Sequence, residues 1–308
     1  MEMLAGEKQP IGLIFGGGIE NHLELLKELN KKWILLGNTY YQVKNLKDFT
    51  YFFPLLEELS IPTPQIQIHP PSHPEGWLYK SVYGTGGSHI RLANQCAFTS
   101  DSGYYFQKKI NGQAGSVLFL ANGKYCQIIG YNLLIIAPTK TTPYRYGGIF
   151  APFKLSYSNR TLLKKYIEKI VLTTELRGLN GLDFIQDKNE KIWVLEINPR
   201  PPAAMDLYQD LFNPLSAHIN GCLGNTLPIK IKSIAQTQGF IILYAPYDLI
   251  IPSYITWPNF CHDYPANGSV INQGDPICTI HAKGANIDLC YQQIAQRFTQ
   301  LLTLFSPC

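Results

Sequence analysis

The sequence predicts a mixed fold, in which an N-terminal α/β segment precedes a larger α+β region. Three observations support this prediction. Residues 11–36 follow the order strand, glycine turn, helix and strand, which is typical of an α/β layer. Residues 77–134 show a strand pattern interrupted by turn residues, and residues 179–198 form one predicted hairpin. A chain of 308 residues is long enough for about two domains.

The other elements follow in order along the chain. A helix is predicted over 47–59, where Ile61-Pro62-Thr63-Pro64 stops it. Turns are expected at 84–88, 111–115 and Asn122-Gly123, and a helix is expected over 160–177. Strands near 238–245 and 277–281 and a helix over 286–304 complete the pattern. We expect domains at 1–64 and 65–308, the second divided into 65–140, 141–235 and 236–308.

The composition excludes several classes of protein. A net charge of +4 is too small and too scattered for a nucleic-acid groove, although it suits small anionic ligands. The seven cysteines form no C-x-x-C pair and are odd in number, so reduced thiols are expected. No apolar stretch approaches the roughly 20 residues of a membrane helix. We therefore expect a cytoplasmic protein with no membrane partner, and leave open whether it forms a homo-oligomer.

The second strand of the hairpin ends in polar residues. Glu196, Asn198 and Arg200 occupy every second position, and alternation along a strand places them on one face together with Val194. Polar side chains concentrated where a strand ends are accessible to a ligand.

The pairing of the hairpin brings two acids together. If Asp187 pairs with Ile192 across the loop 188–191, the same register sets Asp183 opposite Glu196. Opposed carboxylates destabilise a sheet unless a cation lies between them. Mg²⁺, with the carbonyl oxygen of Asn198 as a third ligand, would resolve the conflict. The alternative is a solvated acidic face.

A glycine-rich loop follows the predicted strand that carries Lys80. In Gly84-Thr85-Gly86-Gly87-Ser88, the glycines allow backbone N–H groups to converge on an anion, and the lysine adds a point charge. The spacing is not that of a P-loop, and no helix follows. A plain hairpin turn is the alternative interpretation.

Two weaker signals lie farther along the chain. Arg145 stands between two tyrosines and before two glycines, a pattern that suits either an anion-contacting loop or an ordinary surface turn. Gln107, Lys108, Lys109 and Ile110 precede a turn where backbone groups could meet a purine edge.

Taken in order, these segments resemble the ATP-grasp superfamily, and more closely its carboligase-type branch with biotin-carboxylase-like features. The resemblance rests on "KSVYGTGGSHIR", "YFQKKINGQAGSVLFLANG", "YRYGGIFAP", "RGLNGLDFI", "VLEINPRPPAAMDLY" and "GDPICTIHA". It implies an ATP-grasp fold, with a nucleotide held between two α+β subdomains after a short N-terminal α/β domain that lacks the usual first strand and helix.

The resemblance also implies a function and roles for residues. ATP and Mg²⁺, with Mn²⁺ as an alternative ion, would serve a carboxylate–amine ligase that acts through an acyl phosphate; relatives suggest an amino-acid ligase of one-carbon cofactor biosynthesis. The implied metal ligands are Asp183, Glu196 and Asn198. The implied nucleotide contacts are Lys80, Gly84, Gly86, Gly87, Ser88, Gln107, Lys108, Lys109 and Ile110. The implied catalytic residues are Arg200 and Arg145.

Two departures from the superfamily pattern and two rival functions accompany this expectation. The ribose-binding glutamate of relatives has no counterpart near Gln113 and Ala114, and no bicarbonate- or biotin-specific signature is present. A kinase-like phosphotransferase would release ADP and a stable phosphate ester. A catalytically silent nucleotide sensor would bind ATP without turnover. A salt bridge of Arg200 to Asp206 or Asp210 is the structural alternative for that residue.

Overall fold

The computed structural model describes residues 10–95, 103–227 and 234–305. Its α-helices are α1 Leu23–Lys32, α2 Tyr40–Lys47, α3 Phe49–Glu58, α4 Tyr157–Thr174, α5 Pro214–Cys222 and α6 Ile287–Phe305. Its strands are β1 Ile66–Gln67, β2 Trp77–Ser81, β3 Ile90–Leu92, β4 Tyr104–Lys108, β5 Gly112–Asn122, β6 Cys126–Ile136, β7 Tyr146–Ala151, β8 Arg177–Asp187, β9 Ile192–Asn198, β10 Thr237–Tyr244, β11 Leu249–Ile250, β12 Cys261–His262, β13 Val270–Ile271 and β14 Pro276–Gly284. Short 3-10 helices cover Ile19–Asn21, Ala93–Gln95 and Ala203–Tyr208.

Two large sheets organise the chain. A four-stranded sheet has the order β1-β4-β2-β3, and an eight-stranded sheet has the order β12-β14-β10-β7-β6-β5-β8-β9. Residues 109–111 connect β4 of the first sheet to β5 of the second. The expected turn at 111–115 is therefore wrong in extent, because Gly112 already begins β5 and pairs with Asp187.

The eight-stranded sheet crosses two of the expected domain boundaries. Strands β5 and β6 lie N-terminal to residue 140, yet β6 pairs with β7. Strand β10 lies C-terminal to residue 235, yet it also pairs with β7. Turn signals along the sequence mark where strands end, whereas the division into sheets depends on pairing between distant strands.

The N-terminal segment is less regular than predicted. The strands expected on either side of α1 are reduced to a single parallel bridge between Leu13 and Leu35. The helix α2, which the sequence pattern did not reveal, starts at Thr39, whose side chain and that of Gln42 form a capping box. Asp48 caps α3 at once, so Lys47 is the last residue of α2 and lies at the junction of two helices.

A large hydrophobic core supports the face of the sheet opposite the candidate site. Helix α4 packs Leu163, Ile167 and Ile170 against strands β5, β8 and β9, and all three side chains are fully buried. The helices predicted over 160–177 and 286–304 are confirmed within a few residues.

Across the described ranges, no helix is both long and apolar enough to span a membrane. The cysteines at 126, 222, 261, 278 and 290 are free, while Cys96 and Cys308 lie outside the described residues.

Candidate active site

The hairpin of β8 and β9 places Asp183 directly opposite Glu196, as predicted. The register that led to this expectation is wrong by one residue, because Ile192 pairs with Gln186 and not with Asp187. A β-bulge at Leu195 inserts one extra residue into β9 and restores the pairing of the two acids.

The bulge also changes which side chains share a face. Val194 was expected beside Glu196, but it is fully buried in the core together with Ile197, Leu182 and Phe184. One extra residue shifts the alternation along β9, so apolar Val194 faces the core while Glu196 faces the other side.

One cavity of about 590 Å³ collects most of the predicted site residues. Its volume falls within the range of roughly 300–1,000 Å³ that is usual for ligand sites. The predicted residues that line it are Lys80, Gly84, Gly86, Gly87, Gln107, Lys108, Lys109, Ile110, Asp183, Glu196, Asn198 and Arg200. Ser88 and Arg145 are not among the lining residues.

The two carboxylates of the acidic pair shift each other's pKa. Burial and the neighbouring charge of Glu196 raise the pKa of Asp183. The partial loss of water around the Glu196 carboxylate in the cavity also pushes its pKa upward, but the charges of Lys47 and Lys80 outweigh this effect and hold the pKa below its usual range. Close carboxylates repel each other when both are ionised, so the site favours a cation between them.

Lys47, which sequence reasoning did not assign to the site, is the nearest such cation. Its Nζ donates to Asn198 Oδ1 at 3.0 Å and lies 3.6 Å from Glu196 Oε2. The amide of Asn198 donates in turn to Asp183 Oδ2 at 3.1 Å and to Glu196 Oε1 at 3.4 Å. Lys47 is the last residue of α2, and nothing in the sequence around it indicates contact with the acidic pair.

The side-chain oxygen atoms of Asp183, Glu196 and Asn198 suit a hard divalent cation. Two carboxylates and an amide carbonyl offer the oxygen ligands that Mg²⁺ takes, usually with phosphates and waters completing its shell. In the described part of the chain, no group of three or more His, Cys, Asp or Glu side chains could hold a metal. An ion here would therefore also use the amide oxygen of Asn198, which now accepts from Lys47, with phosphate or water oxygens completing its shell.

Lys80 is a buried lysine that faces the same cavity. It is 6% exposed, and its Nζ donates to Gln107 Oε1 at 3.2 Å and lies 5.6 Å from the ring centre of Tyr105. Burial lowers its pKa, but Tyr105 and the carboxylate of Glu196 more than offset this, so the pKa is raised and the charge is kept. Gln107 Nε2 is buried without a hydrogen-bond partner among the described residues. Both side chains are thus arranged for a ligand with negative charge and hydrogen-bond acceptors.

The connection between the two sheets brings residues 109 and 110 to the wall of the cavity. The N–H groups of Lys108 and Lys109 donate to the carbonyls of Gln65 and Gly76. The N–H of Ile110 has no acceptor within the described ranges, and Ile110 lines the cavity. This is the arrangement expected for contact with a purine edge.

The glycine loop packs against the segment that contains Arg145. Gly86 and Gly87 have φ values of 60° and 70°, and a Cβ added at Gly87 would lie 2.0 Å from the carbonyl oxygen of Tyr144. Tyr146 N donates to Gly86 O at 2.7 Å. The loop therefore requires glycine for both its conformation and its close approach.

Arg145 itself points away from the cavity. Its guanidinium stacks on the ring of Tyr244 at 3.7 Å, and its Nε donates to Ala137 O at 3.1 Å. The flanking Tyr144 and Tyr146 line the cavity instead. Ser88 Oγ donates to Thr85 O at 3.1 Å, so its hydroxyl stabilises the loop internally.

Arg200 lies at the cavity beside the N-terminal glycine segment. Its Nε donates to Glu20 Oε1 at 2.7 Å, and Glu20 is 5% exposed. The alternatives considered from the sequence are wrong, since Asp210 pairs with Lys283 and neither it nor Asp206 contacts Arg200. A Cβ added at Gly17 would lie 3.3 Å from Arg200 Cζ, so the run Gly16-Gly17-Gly18 lets the backbone approach the guanidinium. In the sequence, the run of glycines shortly before Glu20 was the one feature that could have indicated that Glu20 belongs to the site.

His89 also lines the cavity and was not predicted to do so. Burial and the charge of Lys80 lower its pKa to about 4, so the imidazole is neutral at physiological pH. Its Nδ1 is buried without a partner in the described part of the chain.

Comparison with known proteins identifies the family. The ATP-grasp domain family matches residues 47–204, which include the glycine loop, the acidic hairpin and Arg200. The chain belongs to the ATP-grasp family. The predicted superfamily and its α+β fold are thereby confirmed.

Solved structures share the ATP-grasp fold along almost the whole chain. The biotin carboxylase domain of 2-oxoglutarate carboxylase from Hydrogenobacter thermophilus, in complex with MgADP, ADP and bicarbonate, superimposes with a TM-score of 0.72 at 12% identity over 91% of this chain and 71% of that one. Carboxyaminoimidazole ribonucleotide synthase from Aspergillus clavatus, complexed with ATP, gives a TM-score of 0.71 at 11% identity over 92% of this chain and 80% of that one.

A curated relative is an uncharacterised protein of Methanocaldococcus jannaschii. It is 26% identical over 267 residues, covering 82% of this chain and 62% of the relative. The chain thus spans about three fifths of that relative's length.

Proposed function

We propose that this ATP-grasp chain is an ATP- and Mg²⁺-dependent ligase that activates a carboxylate as an acyl phosphate and transfers the acyl group to an amine. The observation that carries the proposal is the convergence of three features on one cavity: opposed Asp183 and Glu196, buried Lys80, and Arg200. Amino acids are the first amines to test, because an amino-acid ligase is the narrower expectation.

The nucleotide is assigned to the space between the two sheets. The free N–H of Ile110 and the unpartnered amide of Gln107 suit the purine, while Lys80 and the glycine loop suit phosphate oxygens. Backbone N–H groups at glycines with positive φ form concave anion sites. Lys80 adds a charge-assisted hydrogen bond without moving from its buried position.

Asp183, Glu196 and Asn198 are assigned to the divalent ion. A Mg²⁺ ion held there would neutralise charge on the phosphates and on the migrating phosphoryl group. Mn²⁺ accepts the same oxygen donors and is the alternative ion. An ion coordinated by Asn198 Oδ1 would repel the ammonium group of Lys47, which now donates to that oxygen, and Lys47 would then be free to contact phosphate.

The reaction consists of two displacements. A carboxylate oxygen forms a bond to the γ-phosphorus while the bond from this phosphorus to the β–γ bridging oxygen breaks, and ADP leaves with the electron pair. The amine nitrogen then forms a bond to the acyl carbon, the bond to the phosphate oxygen breaks, phosphate leaves with that pair, and the amine loses a proton to solvent. Arg200 is assigned to the charge that develops on the acyl oxygen, because preorganised donors act at such positions.

The test is carboxylate-dependent ADP release with amino acids and other amines as acceptors, with and without EDTA. Wild-type protein should release ADP, phosphate and an amide, and Asp183→Asn should abolish turnover without unfolding the protein. Glu168→Gln, which changes an acid on the exposed surface of α4, is the matched control. Release of ADP with a phosphorylated acceptor would favour the kinase-like alternative. Tight ATP binding without turnover under every acceptor would favour the sensor.

A further inference from the structure

The cavity extends past the acidic pair onto strands β6 and β7. Leu134 on β6 pairs directly with Ile149 on β7, and both line the cavity. Asn132, two residues before Leu134, pairs with Ser116, and Ser116 pairs with Asp183. Alternation along β6 therefore places Leu134 and Ile149 on the face that carries Asp183. Because β5 lies between them, β6 is about 10 Å from β8.

Apolar side chains enclose this extension of the cavity, which we call the apolar compartment. The glycine loop lies beside it, since Gly86 O accepts a hydrogen bond from Tyr146 N at 2.7 Å. The turn after Arg200 also contributes to its wall. The compartment is defined by Leu118, Leu134, Tyr146, Ile149, Ala203 and Ala204.

Two polar side chains beside the compartment already bind each other. Asn132 donates to Ser116 Oγ at 3.2 Å and accepts from Tyr208 Oη at 2.7 Å, and both Asn132 and Tyr208 are buried. Burial and the nearby carboxylate of Asp183 raise the pKa of Tyr146, so its hydroxyl is a neutral donor. A charged or strongly polar group placed in the compartment would lose water without gaining enough partners.

We infer that the apolar compartment binds the substituent of the carboxylate substrate, and that this substrate is an acid with an apolar side chain. The inference rests on the proposed function. The carboxylate end then lies toward Arg200 and the acidic pair, where Arg200 Nη2 donates to no acceptor in the described part of the chain. Bicarbonate, which has no substituent, would leave the compartment without a ligand.

The experiment measures kcat/KM for MgATP-dependent ADP release with hydroxylamine as the amine. The acids are acetate, butyrate, hexanoate, 3-phenylpropionate, succinate and bicarbonate. We expect kcat/KM to rise roughly fourfold for each added methylene group, because each buried methylene transfers from water to an apolar wall. Succinate and bicarbonate should be the poorest substrates.

Variants of Leu134 locate the selectivity. Leu134→Ala should reduce the gain from acetate to hexanoate several-fold, and Leu134→Lys should shift preference toward succinate. Leu172→Lys, on the exposed surface of α4, is the matched control. The melting temperature and its MgATP-induced shift show that each variant is folded and binds nucleotide; Leu134→Ala keeps the test valid if the lysine variant fails to fold.

The outcomes separate the two proposals. ADP release that is best with bicarbonate or acetate, or a Leu134→Ala variant that keeps the full chain-length dependence, overturns the apolar substrate class and leaves the ligase proposal intact. Carboxylate-independent ADP release, or none with any acid despite bound MgATP, overturns the ligase proposal and this inference with it.

Discussion

Glu196→Gln removes one charge from the acidic pair while keeping the size of the side chain. In the ligand-free protein it removes the negative charge that raises the pKa of Asp183 and also the attraction of Lys47 at 3.6 Å. The side chain of Glu196 is 43% exposed, so this ion pair contributes roughly 0–1 kcal/mol. The two effects oppose each other. The ligand-free melting temperature should therefore change by less than about 2 °C for a chain of this length.

The effect of the ligand should be larger. MgATP at about one hundred times its Kd stabilises a folded protein by about 2.7 kcal/mol, which corresponds to about 4 °C for a chain of this length. In the wild-type protein this shift should depend on Mg²⁺, because the ion joins the phosphates to Asp183 and Glu196. In Glu196→Gln the shift should be the same with Mg²⁺ as with EDTA.

The assay is thermal unfolding with ATP, with either Mg²⁺ or EDTA present. Glu168→Gln is the control, because Glu168 forms an ion pair with Lys164 at the same 3.6 Å distance on the exposed surface of α4. It should keep the wild-type dependence on Mg²⁺. A Glu196→Gln variant that also kept this dependence would show that the acidic pair is a solvated face and does not bind the ion.

Four further predictions follow from the site and its surroundings. Lys47→Met removes the cation that competes for Glu196 and Asn198, so Mn²⁺ binding without nucleotide, measured by electron paramagnetic resonance, should tighten about fivefold, the effect of an ion pair of about 1 kcal/mol; unchanged binding contradicts the competition. Lys80→Met should weaken ATP binding by about 10- to 100-fold in calorimetry, the contribution of a hydrogen bond to a charged group, while the ligand-free melting temperature changes less; the reverse pattern would mark Lys80 as structural. Arg200→Lys should lower turnover by about two to three orders of magnitude in single-turnover amide formation with little change in ATP affinity; normal catalysis with a lower melting temperature would remove Arg200 from the site. His281→Gln should flatten the acid limb of stability in urea unfolding between pH 7 and pH 5: burial and the charge of His262 lower the pKa of His281 to about 4, so its contribution is present above the unfolded pKa of about 6.5 and is lost as pH falls toward 4. An acid limb as steep as that of the wild type would show that His281 titrates normally.

Local patterns in the sequence predicted the hairpin and the glycine loop because their interactions are short in range. Alternation and turn residues fix strands β8 and β9 within a few residues, and the pairing of Asp183 with Glu196 was predicted even though the assumed register was not. The bulge at Leu195 could not be foreseen, since an apolar residue fits either face of a strand. It explains why Val194 faces the core.

The missed site residues come from segments far away along the chain. Glu20 contacts Arg200 across 180 residues, and Lys47 contacts Asn198 across 151. Spacing within a motif carries no information about such pairs, because they depend on how the N-terminal helices pack against the sheet. For the same reason the sequence did not show that Arg145 stacks on Tyr244 and turns away from the cavity.

The most direct test of the ligase mechanism follows one oxygen atom. With a substrate whose carboxylate is labelled with ¹⁸O, an acyl phosphate transfers one labelled oxygen to the released phosphate when the amine attacks the acyl carbon. We expect one ¹⁸O in each phosphate released by the wild-type protein during amide formation, as measured by mass spectrometry. Phosphate without label, released at the same rate as ADP, would contradict the acyl phosphate and with it the assigned role of this cavity.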